Sequence, residues 1–352
     1  MRFEAPTGVL DRAVRDAAVV ATARGPVHGL IRLTCEEHLL RIDAFSDDAS
    51  ISIPVTASIS TPGVAVLPVR PLVSLLATLS NQAVQVSKAG QEVVAAQDVE
   101  LRLQSADPMM WPRPLVPPPP IGRLDTSDLE GILRIAFAAS KDPNRPALMS
   151  VRLENGFALA SDGFRLARAR LEFQHAAQMT IPIAALRLLH QTAGGASVRA
   201  SASHLWLDFD SRAISLRLLD IPYPVVAQLL ASIETPDQFE VRTDELLNAL
   251  DQVAVFGGDE TLILSCRPGT TASLTLSCRS PEVGVVRRGI RAQGSPPLRL
   301  AMKLRFLRDA VQALDAESVV VAYGRPDKPI RIERDGFLVV TSPVVLPVEL
   351  ES

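Results

Sequence analysis

Residues 148–173 read LMSVRLENGFALASDGFRLARARLEF. Two turn dipeptides, Asn155-Gly156 and Asp162-Gly163, sit between apolar segments. Such dipeptides are the strongest short-range sign of antiparallel hairpins, because Asn, Asp and Gly tolerate the positive φ that tight hairpin turns need. After the second turn come Phe164, Leu166, Ala167 and Ala169, with Arg165, Arg168 and Arg170 set among them. The stretch predicts a hairpin pair with arginines on its exposed face, and that face is a candidate wall of a pocket for a partner.

Outward from this stretch, one pattern is written three times. Each copy opens with an amphipathic helix, continues through apolar strands into a second helix, and closes with two or three strands. The opening helices are expected at Val9–Val20, Ser127–Ser140 and Asp244–Val255, where apolar residues recur at i, i+3 and i+4. Thr7 is a candidate N-cap for the first, and Thr126 or Ser127 for the second. The second helices are expected at Val69–Leu79, Ile183–Thr192 and Lys303–Leu314. One long strand region is expected over Leu39–Ile53. Residues 111–120, WPRPLVPPPP, form a connector that neither helix nor central strand can cross, because proline fixes φ and lacks a donor N–H. The expected fold class is α+β, in three tandem domains at 1–118, 119–233 and 234–352.

A chain of 352 residues with 47% hydrophobic content has ample material for several cores. The net charge is −3 and no third is strongly basic, so any contact with nucleic acid is local rather than global. Three cysteines, Cys35, Cys266 and Cys278, lack metal-type spacing and fit a reducing cytoplasm. The N-terminus has no secretory pattern, and no long apolar run suggests a membrane span.

Nothing in the chain announces an enzyme. Phosphate-loop, dinucleotide, zinc-protease and nucleophile-elbow motifs are absent. The five histidines share no ligand spacing, and Asp47-Asp48 reads as a solvated loop. No catalytic residue, metal or cofactor is expected. What remains is a set of basic residues off the apolar helix stripes: Arg12, Arg15, Arg70, Arg134, Lys141, Arg187, Lys303, Arg305 and Arg308. Most such residues simply solvate a helix face. Three copies aimed at one axis would instead line a channel that holds DNA by its phosphates alone, without reading bases.

Several segments in order carry a family resemblance. Residues 142–148 read DPNRPAL, 161–166 SDGFRL, 220–224 DIPYP and 344–350 VVLPVEL; Arg24 precedes Gly-Pro, and Pro68-Val69-Arg70 follows. Over essentially its whole length the chain resembles the bacterial sliding clamps, the beta subunits of the replicative DNA polymerase III. The resemblance implies three copies of the DNA-clamp domain per chain, with two chains closing head to tail into a ring, helices inside and sheets outside. It implies no catalysis: the ring encircles duplex DNA and tethers the polymerase. Clamp loader and repair proteins would be held through short peptide motifs.

The same resemblance implies a peptide pocket built from Leu148, Ser161, Gly163, Phe164, Arg165, Leu166, Pro224, Leu229, Val344, Leu346, Pro347 and Val348. It implies DNA contacts at Arg24, Arg70 and Arg145, and a homodimer interface where Leu101 and Leu103 meet Val255 and Phe256 of the other chain. The chain departs from the family at Phe164, where a histidine is usual, at Glu349, where an arginine is usual, and at Ile183-Ala184, where a basic pair is usual. These departures keep a second reading open, a clamp-derived protein that binds clamp partners without loading on DNA.

Overall fold

The computed structural model describes residues 1–37, 39–79, 83–96, 99–175, 178–190, 192–256, 261–266, 273–280, 284–294 and 298–344. Along the chain the order strand, helix, four strands, helix, three strands occurs three times, with an extra strand, Ser58–Thr61, in the first copy and a short helix, Ala227–Ala231, after the second. The opening helices are Thr7–Ala21, Thr126–Arg134 and Thr243–Val253, and the second helices are Val69–Leu76, Ile183–Leu186 and Leu304–Leu314.

Three of the helices begin where a strand runs straight into them through a proline. Pro6, Pro68 and Pro182 occupy the N-cap with φ of −58°, −65° and −57°. Proline presets this φ and gives up an N–H that would otherwise lack a partner. The expected cap at Thr7 is therefore corrected: Thr7 is the first helical residue, buried, and no side chain caps that helix. The second copy's helices are shorter than their apolar periodicity predicts. The first of them becomes a 3₁₀ turn at Ile135–Ala138, and the second stops at Leu186. The single strand region expected over Leu39–Ile53 is two strands, Leu39–Phe45 and Ala49–Val55, reversed at Ser46, whose hydroxyl donates to the Ala49 carbonyl.

The contacts divide the chain into two compact units, and the division falls inside the middle copy. The first unit holds residues 1–129, 173–175 and 181–220. It contains an eight-stranded antiparallel sheet in which Ala49–Val55 of the first copy pairs with Arg212–Arg217 of the second, Ile51 opposite Ile214. The helix Thr7–Ala21 packs on this sheet and buries Leu10, Val14, Ala17 and Val20. Burying each of the leucine and valine side chains contributes about 1.5–3 kcal/mol relative to exposure. A buried ion pair, Arg212 Nη2 to Asp16 Oδ2 at 2.8 Å, fastens this helix to the neighbouring copy's strand. A second sheet of five strands ends at Glu100–Gln104, which has no further strand beside it among the described residues.

The second unit holds residues 130–172, 176–180 and 221–352. Within it the strand Arg165–Arg170 of the second copy pairs with Phe337–Thr341 of the third, Leu166 opposite Val340. A four-stranded sheet in the order Gly284–Arg291, Ser273–Ser280, Thr261–Cys266, Leu298–Lys303 completes it. The helices Thr243–Val253 and Leu304–Leu314 pack together, with Arg308 paired to Asp251 at 2.8 Å. No described helix is long and apolar enough to cross a membrane.

Candidate partner-binding pocket

The two expected hairpins form, and their turns differ. Asn155 and Gly156 both take positive φ, 50° and 74°, and Glu154 stands opposite Phe157, so this is a two-residue turn of the kind the dipeptide predicts. The second turn is wider, with Ser161 opposite Leu166. Only Gly163 takes positive φ there, at 90°. Side chains build this loop. Asp162 Oδ1 accepts from the backbone N–H groups of Phe164 and Arg165 at 2.9 and 3.0 Å. The Ser161 hydroxyl donates to the Arg165 carbonyl at 2.7 Å and accepts from Gly163 N–H at 3.0 Å.

The 3₁₀ turn Pro146–Leu148 lies against the loop. A Cβ on Gly163 would stand 2.9 Å from Arg145 Nη1, the mobile end of that side chain, and 4.0 Å from Leu148 Cδ1, so it is the positive φ that calls for glycine. Arg145 Nη1 also donates to the Asp162 carbonyl at 3.3 Å. Arg145, expected to contact DNA, is thus part of the loop's rim.

Leu166 is buried in a cluster with Val226, Leu338 and Val340, and Tyr223, Leu230 and Ile233 pack on it. The segment 223–233 therefore covers one face of the joined sheet. Around this seat Phe164 is 58% exposed, Val225 75% and Leu229 50%, and Pro224 is exposed. A buried apolar floor with large exposed apolar side chains at its margin is the form of a site for a short peptide's anchor residues.

Arg165 occupies the other face. Its guanidinium bonds Asp162 at 3.1 Å, Asp309 at 2.5 Å and the Phe137 carbonyl at 2.8 Å, and lies over the Phe137 and Phe306 rings. It holds the loop from beneath. On the pocket face, alternation places Arg168 two residues after Leu166. Burial pulls its pKa below the usual arginine value, with nearby Arg331 adding to the effect and Glu333 opposing it. Its guanidinium rests on the Phe157 ring. Burial likewise raises the Tyr223 phenol.

Leu148, Ser161, Gly163, Phe164 and Leu166 are thus brought together around one loop. Val344 is half-buried, its N–H donating to the Ala301 carbonyl at 2.7 Å. Leu346, Pro347, Val348 and Glu349 lie outside the described residues. Tyr223, Val226 and Val340 complete the seat and were not singled out from sequence. The 220–224 segment pointed towards Tyr223, but nothing local distinguishes buried Val226 from exposed Val225.

Arg24 is exposed in the turn after the first helix, and its carbonyl accepts from Asp47 N–H at 3.1 Å. Arg70 is exposed on Val69–Leu76, a helix packed against Thr7–Ala21. Leu101 and Leu103 are half-buried on the edge strand Glu100–Gln104. Val255 is 62% exposed in the 3₁₀ turn Ala254–Phe256, and the Phe256 side chain lies outside the described residues.

No protein-family model matches the chain. Among curated proteins, the beta sliding clamp of Staphylococcus aureus (strain Mu50) is 24% identical over 355 residues, covering 92% of each chain. That of Synechococcus elongatus is 26% identical over 365 residues, covering 95% of each. Among solved structures, the DNA polymerase sliding clamp of Bacillus subtilis superposes with a TM-score of 0.89 at 21% identity, over 99% of this chain and 100% of that one. The fold is that of the DNA polymerase sliding clamps. Within that class the chain is a homologue, along nearly its full length, of the bacterial beta sliding clamps. The second reading, a partner-binding derivative that no longer loads on DNA, is not favoured by these likenesses.

Proposed function

We propose that the protein is a non-catalytic processivity clamp. Two copies close head to tail into a ring around duplex DNA, helices inward and sheets outward, each chain contributing clamp domains at 1–118, 119–233 and 234–352. The observation that carries this reading is the thrice-repeated element order, with strands paired across successive copies in the two eight-stranded sheets and the smaller sheets ending in unlike edge strands at Glu100–Gln104 and Gly284–Arg291. Unlike edges on one chain join head to tail, and such joins form rings when the rotation closes. Leu101 and Leu103 on one edge, with Val255 and Phe256 near the other end of the chain, would seal the join.

Arg24, Arg70 and Arg145 would meet phosphates without reading bases. The seat around Leu166 would take the peptide anchors of the polymerase, clamp loader and repair proteins, with Leu148, Gly163, Phe164, Pro224 and Leu229 at its margin. Val344, Leu346, Pro347 and Val348 would close it from the C-terminal segment, and Arg165 would keep the loop in place. A ring that cannot fall off holds its partner at high local concentration, so processivity needs little affinity for DNA. No cofactor is involved, and the cytoplasm is the compartment this role implies.

Loading onto nicked circular DNA by a clamp loader, followed by gel filtration, tests the proposal. Retention on the circle and loss after linearisation is expected. Equal loss from both forms would refute the ring.

A further inference from the structure

The sheet face that carries the seat around Leu166 also carries Arg152, Arg168, Arg170 and Arg331. Register puts Arg152 in one row with Leu159 and Arg168, and Arg331 in one row with Val340 and Leu166. Alternation adds Arg170 to the same face. Two of these arginines have a carboxylate of their own. Arg152 pairs with Glu154 at 3.3 Å and donates to Thr180 Oγ1 at 2.7 Å, and Arg331 pairs with Glu333 at 2.7 Å. Arg170 is exposed, so water serves it. Arg168 has neither remedy. It is half-buried, its Nε is shut off from water without a hydrogen-bond partner, and among the described residues no carboxylate pairs with it. Glu333 is near enough to favour its charge but is engaged by Arg331, which repels it.

A cation withdrawn from water is costly unless an anion meets it. The Phe157 ring, 4.6 Å from the guanidinium carbon, holds Arg168 in place without neutralising it. Its position is what gives the charge a use. Arg168 stands directly opposite Leu338, a member of the buried cluster under the seat. Side chains of such cross-strand pairs start about 4.5–5.5 Å apart. The unmatched charge therefore borders the apolar floor, at the end away from the Phe164 loop. A peptide whose anchor fills the seat has its flanking residues beside it.

We infer that Arg168 selects partner peptides that carry a carboxylate next to their apolar anchor. This rests on the peptide pocket proposed above and adds a rule of charge to it. The carboxylate comes from an Asp or Glu side chain or from the peptide's free C-terminus. In either case the planar fork of the guanidinium matches the two carboxylate oxygens. A lysine in the same place would set a second cation beside one that already lacks a partner.

Calorimetry on the full-length protein tests this with short synthetic peptides built on a Leu-Phe anchor pair in a serine and glutamine background. One set is amidated at the C-terminus and carries Glu, Gln or Lys at a single position, scanned along both sides of the anchor. A second set is neutral and has a free C-terminus. At a position beside the anchor, Glu is expected to bind about tenfold tighter than Gln, and Lys weaker than Gln. A gain confined to the second set assigns the chain end instead of a side chain. Arg168→Leu removes a partly buried charge that has no partner, so the fold should tolerate it. In that variant the carboxylate loses its advantage, and in Arg168→Glu the preference turns to Lys. An arginine with a structural role alone would shift every peptide equally. Equal binding of charged and neutral peptides, or discrimination that persists in Arg168→Leu, would overturn the assignment and leave the pocket standing. Binding of no peptide at all would remove the pocket and the assignment together.

Discussion

Two arginine–aspartate pairs do similar work in the two units. Asp16 on an opening helix meets Arg212 on a strand of the next copy, and Asp309 on a later helix meets Arg165 on a strand of the preceding one. Removing one member of a buried pair leaves the other charge without compensation. Asp16→Ala is expected to destabilise by about 3 kcal/mol. Arg165→Ala should cost a similar amount or somewhat less, since Asp309 is a third exposed and water recovers part of the loss. Urea denaturation measures both, and Arg165→Lys, which keeps charge but not the forked geometry, should fall between. Three buried groups fix the alkaline limit. Burial pushes the Cys35 thiol up to about 11 and the Tyr323 phenol to about 12, and raises Tyr223 as well. Each holds its proton longer in the folded chain than in the unfolded one. Their contribution is therefore intact below about pH 9 and is lost as pH climbs through the folded values. Denaturation midpoints at pH 8 and pH 10.5 should differ in that sense, and Cys35 should resist alkylation in the native protein while half-buried Cys266 reacts first.

The loop at Asp162–Phe164 shows how an element can be half legible. Its position follows from the Asp-Gly dipeptide, but its shape depends on Asp162 and Ser161 bonding the backbone and on Arg145 crowding Gly163. Gly163→Ala meets both a positive φ and that guanidinium. It is expected to cost about 1–3 kcal/mol and to weaken partner-peptide binding, read by calorimetry with a clamp-binding peptide. The longer helices were legible because each buries one stripe, whereas Ala227–Ala231 buries no residue and left no periodic sign. The strand Gly284–Arg291 was not: GVVRRGIR is exposed at nearly every position, so no alternation marks it. The seat around Leu166 was legible where its residues are local and obscure where Val226 arrives from a segment with no distinguishing pattern. On the edge strand Glu100–Gln104, Leu101→Asp with Leu103→Asp places charge on half-buried positions. The pair should leave the fold intact and shift sedimentation from dimer to monomer, and a persistent dimer would place the interface elsewhere.

At the scale of the whole molecule, retention by enclosure and retention by charge respond differently to salt. Counterion release makes phosphate contacts weaken steeply with ionic strength, whereas a closed ring is held by connectivity. The loaded protein is expected to stay on circular DNA at salt concentrations that strip it from open molecules. Arg24→Glu with Arg70→Glu should reduce loading more than retention, measured on the same circles. The sheets shared between copies carry a further consequence. Ile51 stands opposite Ile214, and Leu166 opposite Val340, so each copy borrows a neighbour's strand to finish its own sheet. A fragment ending near residue 118 would bare the whole flank of Ala49–Val55, and bared flanks recruit strangers. Such an excised third should precipitate or self-pair, because the flank it exposes is one that only the next copy's strand is shaped to cover.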